Sequence, residues 1–195
     1  MNKTILVLIN GHAGVGKDTF VDFCQQHAET KGYKVCNLHR SDAPKAALRS
    51  LGWDGVKDAE TRTILKEMID YMELKGLLNK YLEQQIKTQA EYFDRDIILF
   101  YHVRDPEVMY SLMEKYINNK AIRPISLLIK RDIEKPEEPT EWWGDLEKAE
   151  YTMTVQLPNK DLNASREAAE VFVDFLMDEE WEVVKQEESQ WILNT

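Results

Sequence analysis

Five short apolar runs punctuate the chain, at Thr4–Asn10, Lys34–His39, Asp96–Val103, Ile125–Lys130 and Tyr151–Leu157. The first, third and fourth are nearly continuous in Ile, Leu and Val, the pattern of strands covered on both faces. Between them the apolar spacing lengthens to that of helices. One helix is expected from Lys17 to Lys31, with Gly32 as its C-terminal cap. Asp105-Pro106 supplies a capping residue followed by proline at the first helical position, opening a helix toward Asn118. Ala164–Met177 carries Ala168, Val171, Phe172 and Phe175 as a helical stripe. Strand and helix alternate, so the fold class is α/β, with a mostly parallel five-stranded sheet flanked by helices and joined by right-handed crossovers.

One stretch breaks the alternation. The segment between the second and third strands is about twice as long as a simple crossover needs. It reads as three helices, Ala43–Leu51, Ala59–Glu73 and Leu77–Phe93, forming an insert over about residues 42–95. The middle helix gathers Ile64, Leu65, Met68, Ile69 and Met72 on one face, as core-packing helices do. Glu134–Gly144, with Pro136 and Pro139, reads as a polar loop within a lid-like stretch over 131–150.

At 195 residues, 43% hydrophobic and 31% charged, the chain suits one soluble domain with a full core. Ile5–Ile9, the longest apolar stretch near the start, is too short for a signal-peptide core or a membrane helix. Two cysteines, Cys24 and Cys36, make no disulfide framework and no zinc motif; they read as reduced thiols in a cytoplasmic protein. The net charge of −10 excludes a broad nucleic-acid or anionic-membrane surface. Half of it sits in the acidic tail, 178–195, which has six acids against one lysine. That tail also carries Trp181, Trp191, Ile192 and Leu193, large apolar residues that need a surface to cover. Docking on the chain's own domain and contact in a homodimer are both open.

The chemistry concentrates after the first strand, in Gly11-His12-Ala13-Gly14-Val15-Gly16-Lys17-Asp18-Thr19. A strand, a glycine loop ending in Gly-Lys and then a helix is the arrangement a phosphate cradle needs. Glycines let successive N–H groups turn inward as an anion nest, and the helix adds its positive end. Lys17 would bridge the β- and γ-phosphates. Asp18 stands where such loops usually place a Ser or Thr hydroxyl on magnesium, and a carboxylate is a good hard ligand for that ion.

The run Gly14-Val15-Gly16-Lys17-Asp18-Thr19 resembles the loop of phage-type deoxynucleoside monophosphate kinases, which carry Gly-Lys-Asp-Thr. Other segments resemble that family in order: Ser41-Asp42-Ala43-Pro44-Lys45, Arg62 with Leu65, Val103-Arg104 with Pro106 and Glu107, and Lys130-Arg131. The resemblance touches most of residues 1–157 and implies a single three-layer P-loop NTPase domain using ATP and Mg2+. It places Gly11 to Thr19 on ATP and Asp42, Lys45 and Arg62 on the acceptor nucleotide; Asp18 as the metal ligand is expected from its own carboxylate, where the family uses other acids. Lys17, Arg104 and Arg131 would be catalytic, clamping phosphates with planar, always-charged forks from the arginines. The chain departs from the family at Tyr101 and His102, where paired aspartates stand, and in its acidic lid with Trp142-Trp143. His102, at a strand end, reads as a structural histidine. Three functions remain open: a nucleoside monophosphate kinase, a kinase of another small phosphorylated metabolite, and a nucleotide-binding sensor or assembly protein without catalysis.

Overall fold

The computed structural model describes residues 3–93, 96–132, 146, 149–178, 181–187 and 190–194. Five strands, β1 (Thr4–Asn10), β2 (Lys34–His39), β3 (Ile97–His102), β4 (Ile122–Lys130) and β5 (Met153–Gln156), form one sheet in the order β2-β3-β1-β4-β5, every pair parallel. Strand β1 lies at the centre with all seven residues buried, as a two-face-covered strand must be. Its crossover, α1 (Lys17–Thr30), leads to β2 on one side, whereas β4 leads to β5 on the other. Connections leaving neighbouring strands in opposite directions open a crevice at the strands' carboxyl ends. That crevice is where the glycine loop sits.

Alternation along β3 shows the two covering layers. Phe100 projects toward one face, with its ring centroid 6.3 Å from Phe172 of α6 (Leu162–Met177), which lies 5.7 Å from Phe20 of α1. The next residue, Tyr101, projects toward the other face. There, burial and the neighbouring Tyr81 and Tyr116 push its hydroxyl up to about 12. Those tyrosines belong to α4 (Leu77–Tyr92) and α5 (Pro106–Tyr116). Aspartates start three of the helices: the side chains of Asp58, Asp105 and Asp161 accept N–H groups of Thr61, Glu107 and Ala164.

Strand β4 begins three residues earlier than the apolar run foretold, and it contains Pro124. The Thr4 N–H donates to the Ala121 carbonyl, so odd-numbered β4 residues face β1. Pro124 therefore turns its missing N–H toward the β5 side, below the point where β5 begins at Leu127.

The insert comprises α2 (Asp42–Ser50), α3 (Ala59–Leu74) and α4. Of the α3 stripe only Leu65 is fully buried; Ile64 is 38% exposed, and Met68, Ile69 and Met72 are half-buried. The stripe is thus no ordinary core face. Helix α3 packs on its neighbours α2 and α4.

The acidic tail is a structured element. Residues Glu182–Glu187 (β6) and Gln190–Asn194 (β7) form an antiparallel hairpin. Trp181, buried, fastens it. Its ring stacks on Phe175 at 5.5 Å, its Nε1 donates to the Leu176 carbonyl, and the Arg123 guanidinium lies 3.8 Å from the ring. For Trp181, docking on the chain's own domain holds. Of the lid-like stretch over 131–150, residues 133–145 and 147–148, Trp142 and Trp143 among them, lie outside the described residues. Among the described residues no helix is long and apolar enough to cross a membrane.

Phe172→Ala should cost about 3–5 kcal/mol, because it opens a cavity between α1, α6 and β3. The exposed neighbour Val171→Ala should stay within about 0.5 kcal/mol. Chemical denaturation of both variants measures the contrast.

Candidate phosphate-binding site

The loop conformation follows from glycine at three places. Gly11, Gly14 and Gly16 have φ of +141°, +80° and +95°. At Gly11 a Cβ would also sit 2.4 Å from the Ile129 carbonyl oxygen, so β4 passes too close for any side chain. Asn10, buried at the end of β1, spans two segments with one amide: its Oδ1 accepts the Gly11 N–H at 2.8 Å and its Nδ2 donates to the Arg104 carbonyl at 3.2 Å. The loop entry is thereby tied to the end of β3.

Lys17, in the first turn of α1, reaches back across the loop. Its Nζ donates to the Gly11 carbonyl at 2.5 Å and the His12 carbonyl at 2.8 Å. Burial lowers its proton affinity to about 8, Arg104 adds to the depression and Asp18 opposes it. Arg131, just past β4, lays its guanidinium against Gly16, 3.3 Å from where a Cβ would be. Its Nε is buried with no hydrogen-bond partner among the described residues. Lys17 and Arg131 thus reach the glycines from two segments, and Arg104, from a third, is near enough to Lys17 to depress its proton affinity.

Beside the loop, Asp18 Oδ1 lies 3.4 Å from His39 Nε2 and 3.7 Å from His102 Nε2. The two imidazoles stack at 3.9 Å. Burial lowers the proton affinity of both rings; for His102, with His39, Lys17 and Arg104 adding, it falls to about 3. His102 is buried and hydrogen-bonded, its Nε2 2.8 Å from Asn37 Oδ1, as a structural histidine is, and its ring also stacks within this cluster.

On the insert side, Asp42 Oδ2 accepts the His39 N–H at 2.7 Å and its Oδ1 lies 3.3 Å from Lys45 Nζ. Asp42 and Lys45 are therefore held next to the histidine cluster. Arg62 is not drawn in with them. It is exposed, and its Nε donates to the Lys57 carbonyl at the start of its own helix. Arg40 was missed by the sequence reading. It directly follows β2, pairs with Glu73 of α3, and lies close enough to Tyr101 and Arg104 to interact with them electrostatically. A cation at the carboxyl end of a parallel strand was the available signal.

The residues present fit a polyphosphate: inward-turning glycines, an ammonium, and a buried guanidinium nitrogen lacking a partner. Asp18 would offer a carboxylate of the kind magnesium takes from proteins, which give it one or two and leave the rest of its shell to phosphate and water. The central strand, glycine loop and strand order together define a P-loop NTPase fold.

No protein-family model matches the chain, and no curated protein does. Among solved structures the chain is similar to an APS kinase of Mycobacterium tuberculosis, with TM-score 0.48, 13% identity and coverage of 91% of this chain and 100% of that one. A thymidylate kinase of Ehrlichia chaffeensis gives TM-score 0.40 at 13% identity, covering 90% and 100%. A gluconokinase of Sinorhizobium meliloti 1021 gives 0.39 at 13%, covering 89% and 93%. At these scores the likeness decides no acceptor.

Gly11→Ala should destabilise the fold by at least about 2 kcal/mol, from strain plus the clash with Ile129. Gly14→Ala, which meets nothing within 4 Å, should cost only about 1 kcal/mol of left-handed strain. Denaturation curves for the pair separate close approach from torsion.

Proposed function

We propose that this chain transfers the γ-phosphoryl group of ATP to a nucleoside or deoxynucleoside monophosphate. The observation that carries the reading is the left-handed glycine loop with Lys17 across it and Arg131 against Gly16, Arg104 lying near enough to Lys17 to act on its charge. Phosphoryl transfer needs alignment and fixed positive charge around spreading negative charge, with little covalent work by the protein. Mg·ATP supplies the transferable group. The loop amides and Lys17 would hold its β- and γ-oxygens, and Arg131, against Gly16, would reach the phosphates from the β4 side. Arg104, exposed at the end of β3, would face the incoming acceptor phosphate. Asp42 and Lys45 support an acceptor site on the insert side. Arg40 joins them as a further cation at that edge.

A second reading is a nucleotide-binding sensor. It is favoured by Tyr101 and His102, which leave the end of β3 without a carboxylate, while Asp105 caps α5. Incubation with γ-labelled ATP and a panel of nucleoside monophosphates and other small phosphorylated metabolites separates the readings. Label on a nucleoside monophosphate supports the kinase, label on another acceptor moves the substrate class, and tight binding without turnover supports the sensor. Lys17→Met should lower transfer at least about 100-fold.

The pH dependence has a defined sign. In the free protein Lys17 loses its proton near pH 8, and a bound polyphosphate restores its affinity toward the ordinary lysine range. Nucleotide affinity should therefore fall as pH rises through about 8, and binding near pH 9 should take up a proton. Calorimetry in buffers of different ionisation enthalpy measures this uptake, which Lys17→Met should abolish.

A further inference from the structure

We propose that Asp18, His39 and His102 bind a first-row transition-metal dication, Co2+ or Zn2+, in preference to Mg2+. Three elements bring the donors together. Strands β2 and β3 pair with His39 opposite His102, so both imidazoles stand at the carboxyl ends of neighbouring strands. Asp18 comes from the first turn of α1, immediately after Lys17. The three donor atoms lie within 4.8 Å of one another.

The distances fit coordination better than hydrogen bonding. At 3.4 and 3.7 Å, neither Asp18–histidine separation is a good hydrogen bond. Two atoms bonded to one tetrahedral ion at about 2.0–2.1 Å stand about 3.4 Å apart. Both carboxylate–imidazole separations are close to that value, and a turn of the stacked rings closes the third. His102 Nε2–H donates to Asn37 Oδ1 at 2.8 Å, so coordination through this nitrogen moves the ring's proton to Nδ1 and replaces that hydrogen bond.

Donor type sets the choice of ion. Magnesium takes oxygen ligands and keeps much of its water, whereas imidazole suits zinc, cobalt and their neighbours. Two imidazoles and one carboxylate leave at least one position open, as metal sites that bind exchangeable ligands do. Asp18 occupies the cation position of the glycine loop, so the open position faces the phosphates. This last step rests on the proposed phosphate site; the affinity for the metal itself does not.

The test uses the full chain, stripped with chelator and titrated with Co2+ alone, without nucleotide. One equivalent should give the intensified visible absorption of a low-coordinate site and keep it against about a 100-fold excess of Mg2+. Loss of even an outer partner weakens metal sites about 10–100-fold, so His39→Gln and His102→Gln should each weaken binding at least about tenfold. His27→Gln, on the α1–α6 seam, should not. A wild-type measurement guards against misfolded variants: Zn2+ should shift the ring nitrogens of two of the four histidines, those of His39 and His102. Absence of saturable Co2+ binding, displacement by equimolar Mg2+, or a response at His12 or His27 instead overturns the proposal. Phosphoryl transfer without Co2+ binding refutes the metal site alone; Co2+ binding without transfer leaves it standing and removes the kinase reading.

Discussion

Everything at the active end of this molecule depends on backbone torsion where β1 gives way to α1. A chain that leaves a buried central strand and immediately starts a helix must reverse in a few residues beside β4. The Ile129 carbonyl allows only a residue without a side chain at Gly11. Once the turn is made, the amides face inward and the helix points its positive end the same way. Lys17 then lies within reach of the carbonyls of Gly11 and His12. Geometry comes first here, and charge is arranged around it.

That arrangement concentrates positive charge on a chain that is acidic as a whole. Lys17, Arg104 and Arg131 arrive from three crossovers, and burial first, then the charge of Arg104, weakens the hold of Lys17 on its proton. Such a cluster is incomplete without an anion. Asn10 keeps two of its contributors in step, because the same amide touches the loop entry and the carbonyl of Arg104.

Local features were legible in the sequence. The five strands, six helices, the caps at Asp105 and Gly32 and the glycine loop all follow from spacing and residue chemistry within short windows. What depended on register was not. Nothing in the separate runs Lys34–His39 and Ile97–His102 says that His39 and His102 stack; that follows only from how two parallel strands, some sixty residues apart, align. The same is true of Arg40, whose partner Glu73 lies on α3. The α3 stripe misled for a related reason: periodicity reports one apolar face but not whether the facing surface is the sheet or another insert helix. The tail's tryptophans demanded a surface, and only the fold shows that Trp181 finds it at Phe175 and Arg123.

Arg123 lies near the amino end of β4, whereas the glycine loop meets that strand at Ile129, toward its carboxyl end. The Trp181 clasp therefore grips the sheet at the pole away from the glycine loop. A molecule divided this way can alter one pole while sparing the other: wear at the clasp loosens the scaffold without redrawing the cradle, and retuning the cradle leaves the scaffold's fastening in place.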